Sequence, residues 1–63
     1  MDLFDVVELT RELPDEGLAA GSVGTIVHVF TKPRDAYEVE FTDGDGRTLA
    51  SLALTPDQIR PHR

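Results

Sequence analysis

Apolar and polar residues alternate along this chain in short bursts, and no segment keeps a helical period for three turns. The bursts are separated by turn signals at roughly 8 to 14-residue intervals, the spacing of a small antiparallel β domain. In DVVELT, Asp5 to Thr10, Val7 and Leu9 share one face and Val6 and Glu8 the other, so Val7 and Leu9 are assigned to the core. A long polar loop, RELPDEGLAAGS, follows, with Leu13, Pro14 and Leu18 as anchors and Gly17 and Gly21 free to take positive φ. Val23 to Phe30 is almost continuously apolar, as expected of a strand that bends and packs on both sides, and His28 interrupts it. After a TKPRDA connection, YEVEF alternates cleanly. It places Tyr37, Val39 and Phe41 on one face and Glu38 and Glu40 on the other. Two Asp-Gly pairs then predict a hairpin into a strand from Thr48 to Thr55. Its phase is read with Leu52, Leu54 and Ala50 inward rather than Leu49 and Ala53. Finally TPDQIRP predicts a single 3-10 turn, capped by Thr55 and opened by Pro56, before a short strand around Ile59.

Five strands, a long loop after the first and one helical turn before the last describe an all-β chain. The expected architecture is a single SH3-like five-stranded barrel spanning residues 1–63, with the 3-10 turn preceding its last strand. The blocks DVVEL, LPDEGLAAGSVGTIV, YEVEF and TPDQI together resemble a family of small stand-alone bacterial proteins catalogued only as a domain of unknown function. Ile26 and Ile59 replace a valine and a leucine of that pattern. The resemblance implies the SH3-like barrel and no activity, because the matching positions are turns and core. Over a much shorter stretch, Gly21-x-x-Gly24-x-Ile26 is similar to the glycine-rich turn of KOW-type barrels found in ribosome and transcription proteins.

Length and charge narrow the functional classes. Sixty-three residues form one small domain with little room for a deep substrate cavity. The absence of cysteine leaves neither disulfides nor thiolate metal ligands and agrees with a cytoplasmic location. Asp2 and Asp5 stand where a secretory signal would be basic, and the longest apolar run is too short to span a bilayer, so no membrane partner is expected. Twelve acidic against six basic side chains give a net charge of −6, which repels a phosphate backbone and suits a basic protein surface. Nucleic acid is therefore an unfavoured partner.

No motif supplies a catalytic residue, a metal site or a cofactor site. Gly17, Gly21 and Gly24 lack the Lys-Ser or Lys-Thr and the following helix that a phosphate loop needs. Asp43-Gly44-Asp45-Gly46 would put Arg47 and Leu54 at two ligand positions of a calcium loop. Ser22 and Ser51 have no base placed to activate them. The candidate partner-binding residues are Glu38 and Glu40, roughly 7 Å apart along one strand face, with His28 and Phe30. If Val27 and Val29 point inward, Ile26, His28 and Phe30 form an exposed row; otherwise the strand bends and the long loop covers both faces. The expected function is a non-enzymatic interaction module, monomeric or weakly dimeric, that binds a larger protein in the manner of an antitoxin, immunity or accessory subunit. The alternative is a nucleic-acid or ribosome-associated barrel, which requires Lys32, Arg34, Arg60 and Arg63 to converge.

Overall fold

The computed structural model describes residues 1–62. Five antiparallel strands form one sheet in the order β4-β3-β2-β1-β5: β1 (Val6–Leu9), β2 (Val23–Phe30), β3 (Ala36–Thr42), β4 (Thr48–Leu54) and β5 (Ile59–Pro61). Two 3-10 turns, η1 (Pro14–Glu16) and η2 (Pro56–Gln58), complete the elements. No helix among the described residues is long and apolar enough to cross a membrane.

All five strands feed one core. Val7 and Leu9 of β1, Ile26 of β2, Val39 and Phe41 of β3, Leu54 of β4 and Ile59 of β5 are buried together, and Leu18 of the long loop closes the cluster. Tyr37, Ala50 and Leu52 pack half-buried against it, as their phase requires. For β4 and β5, at opposite edges, to share a core the sheet must curl. A flat sheet would hold its outer strands about 19 Å apart, whereas Thr55 and the three residues of η2 can bridge only about 10 Å. The result is the small five-stranded all-β fold expected from sequence, without hydrogen bonds that close the sheet into a barrel. β5 has three residues, pairs only with β1 and ends in a proline without an amide donor, so no β4–β5 ladder forms.

The long loop is ordered by its own hydrogen bonds. Leu13 and Leu18 exchange backbone bonds of 2.7 and 3.1 Å around η1, and the amides of Leu9 and Gly21 bond to Ser22 and Leu9 carbonyls. Gly17 ends η1 in the left-handed conformation and Gly21 also has positive φ. The Pro14-Asp-Glu-Gly17 order is itself a turn signal, with proline first and glycine at the C-cap, and it forms η1 inside the polar loop that the sequence predicts. Gly24 has a different role. A Cβ there would sit 2.7 Å from Val39 Cγ1 and 2.8 Å from the Glu40 carbonyl oxygen, so only glycine lets β2 approach β3 this closely.

At the far end, the Thr55 amide donates to Gln58 Oε1 at 2.9 Å, and the Gln58 amide returns to the Thr55 carbonyl at 3.0 Å. Thr10 fastens this turn to the end of β1 by donating its amide to Gln58 O and its hydroxyl to Asp57 O, each at 2.9 Å. In the β3–β4 hairpin, Asp43 Oδ1 accepts the amides of Asp45 and Arg47 at 2.8 and 3.0 Å. That carboxylate serves the turn.

Candidate functional site: the outer face of the sheet

A bulge in β2 decides what this face carries. Ile26 pairs with Val39, but the next pair is His28 with Glu38, so Val27 is an extra residue on the β2 side. Upstream of the bulge Gly24 and Ile26 face the core. Downstream, the alternation is reset, and His28 and Phe30 lie on the same face as Glu38 and Ala36. Of the two alternatives for this strand, the exposed row of Ile26, His28 and Phe30 does not form as such. Ile26 is fully buried, and only His28 and Phe30 remain outside.

All four sequence candidates are consequently on one face. Glu40 lies between Thr25 of β2 and Ser51 of β4, and Glu38 between His28 and Ala53, in two successive cross-strand rows. Ser51 donates its hydroxyl to Glu38 Oε2 at 2.7 Å, which orients one carboxylate diagonally across the strand pair. The His28 and Phe30 rings meet edge to face with centroids 4.5 Å apart. Phe30, Glu38 and Glu40 are half-buried and His28 is exposed. The arrangement offers a strip with two carboxylates beside an aromatic pair, suited to Lys or Arg side chains.

Further along the same face, Glu8 is flanked by its β5 partner Arg60, whose Nη2 donates to Oε2 at 3.0 Å, and by His62 just past β5, whose Nδ1 is 3.3 Å from Oε1. The hydrogen bond from Arg60, and after it that from His62, hold the Glu8 carboxyl below its ordinary pKa. Asp57 is likewise lowered, chiefly by the hydrogen bond from the Thr55 hydroxyl.

Among the described residues, the candidate basic cluster does not gather. Lys32 and Arg34 follow the end of β2, while Arg60 stands in the row of Glu8 and Val23 at the start of β2, seven residues away. At strand rise this is about 20 Å. Arg63 lies outside the described residues.

One aromatic escaped the sequence reading. Phe4 is 69% exposed and adopts φ of 68° at the third position of a turn closed by the Asp5 amide on Asp2 O, where glycine is the usual residue. Its amide is fixed to Ile26 O at 2.7 Å.

A family model described as a domain of unknown function, DUF4926, matches residues 3–61. The chain belongs to this family. Comparison with curated proteins and with solved structures gives no match. In this DUF4926 chain the matched span runs from the Phe4 turn through β5, so it includes every strand and the whole outer face.

Proposed function

We propose that this chain is a non-enzymatic protein-binding module whose acidic outer face meets a basic surface of a larger partner. The observation that carries the reading is the β2 bulge, which turns His28 and Phe30 onto the face that already bears Glu38 and Glu40. The net charge of −6 adds long-range attraction for such a partner. The reading includes a cytoplasmic location, in keeping with a cysteine-free chain, and a monomer or weak homodimer in the absence of the partner.

The test compares the tagged chain with E38K/E40K and F30A in recovery of partners from native cytoplasm at moderate salt. The wild-type chain is expected to retain one basic protein stoichiometrically. Charge reversal should weaken that complex about tenfold or more, since each charge-assisted contact is worth about 1.5–3 kcal/mol. Recovery of no stoichiometric protein, or equal retention by all three chains, would overturn the reading.

A further inference from the structure

The two edges of the sheet are guarded very differently. β5 is three residues long, carries Arg60 and ends in Pro61, all features that discourage pairing with another strand. β4 is seven residues long, TLASLAL, with neither a charge nor a proline, in a chain whose residues are 29% charged. Its one irregularity is at its beginning. Phe41 pairs with Ala50 and Thr42 with Thr48, which leaves Leu49 as an extra residue, 59% exposed. From Ala50 to Leu54 the strand is regular. It pairs with β3 on one side only, and alternate backbone N–H and C=O groups on its other side have no strand to meet. Small outward side chains, Ser51 and Ala53, leave that edge open to approach.

Beside this edge lies a groove of about 320 Å³. Leu52, Ala53 and Leu54 of β4 form one side and Leu13 and Pro14 the other, with the exposed Asp15 and Glu16 of η1 on its rim. None of its described lining residues is basic. A strand laid against β4 would alternate its side chains. One set would point into the groove over Leu13 and Leu52, and the other would extend the outer face beside Ser51 and Ala53.

We propose that the β4 edge, Ala50–Leu54, together with the groove beneath η1, binds an extended segment of another protein as a sixth strand, and that this segment carries apolar residues and at least one Lys or Arg. Charge selects this occupant over a second copy of the chain. Two chains of −6 repel, and each would bring a further Asp15 and Glu16 to an already acidic rim. A cationic segment neutralises the same rim. The site adjoins the acidic outer face, since Ser51 and Ala53 stand opposite Glu40 and Glu38, but its groove and its backbone pairing are its own.

The test titrates the full chain against labelled seven-residue peptides, the length of β4, with alternating Val and Lys, and against counterparts with Glu in place of Lys. Two further Val-Lys peptides carry N-methyl groups on one or the other alternate set of backbone amides. The expected result is saturable one-to-one binding of the Val-Lys peptide, about tenfold or more weaker for the Glu version. N-methylation of one set should weaken binding by a similar factor and that of the other set should not, the signature of a strand paired on one side. Substituting the exposed rim as D15K/E16K should weaken binding, and E38K/E40K should weaken it as well, because lysines opposite the groove-facing valines would stand beside Ser51 and Ala53, whose β3 partners are Glu40 and Glu38. No saturation up to about 1 mM, equal effects of both methylation patterns, or loss of binding in E38K/E40K alone would overturn the edge site. The last would place the peptide on the outer face instead. A two-copy mass in sedimentation that the Val-Lys peptide fails to dissociate would also overturn it, by giving the edge to a second chain.

Discussion

Gly24 shows how much a single position can control here. Three atoms of β3, a side-chain carbon of Val39, the Glu40 carbonyl oxygen and a ring carbon of Phe41, lie within 3.0 Å of where its Cβ would be. Alanine must push two strands apart in the middle of the core, and the carbonyl cannot rotate away without breaking the ladder. Overpacking of this kind costs about 1–3 kcal/mol, a large share of what a 63-residue domain has. G24A should therefore lower the urea midpoint by that equivalent, and a midpoint unchanged within error would contradict the packing described. The sequence marked Gly24 as one of three glycines entering the second strand. That it is needed for space rather than for a left-handed backbone follows only from what β3 places opposite it.

Among the elements, β2 was the least legible. VGTIVHVF is apolar in both phases, so alternation alone gives no reason to break step between Ile26 and His28. β3 supplies the reason. Its Tyr-Glu-Val-Glu-Phe pattern admits only one inward face, and β2 must match Val39 with Ile26 and yet keep a histidine out of the core. One extra residue meets both demands. The consequence is a sharp contrast between neighbours. I26A removes a fully buried side chain and should cost about 2–5 kcal/mol. V27A, at the exposed bulge, should cost within about 1 kcal/mol. Denaturant titration of the two variants checks this, and a larger loss at Val27 than at Ile26 would place the bulge elsewhere. β3 and β4 were readable because each alternates with charged, small or hydroxyl side chains on its outer face, and β1 because Glu8 stands between Val7 and Leu9.

For the whole molecule, the decisive contact is between β1 and β5, because it brings the C-terminal strand under the curl. Glu8 with Arg60 and His62 fastens that seam. Since the Glu8 carboxyl is held below its ordinary pKa in the folded chain, the unfolded chain binds its proton first as pH falls. The stabilisation is complete above the unfolded value and is lost as pH drops through the lowered one. E8Q should therefore be less stable than the wild type at neutral pH, and the gap should close in acid. Urea unfolding across that range is the measurement, and a gap constant from neutral to strongly acid pH would disprove the linkage. Arg60, used in this seam, is also kept about 20 Å along β2 from the strand end that precedes Lys32 and Arg34, so these three described residues do not form one patch.

By itself the sequence determined the number, order and inward faces of most strands, the Asp-Gly hairpin and the turn at η2, because period-two burial and turn chemistry act within a few residues. It also named Glu38, Glu40, His28 and Phe30. Tertiary structure decided that Ile26 leaves their row, that the sheet curls without closing, and that β4 remains an uncharged open edge beside an acidic-rimmed groove. Those outcomes depend on which strand lies against which, and pairing is set by the shared core and by chain connections between distant residues.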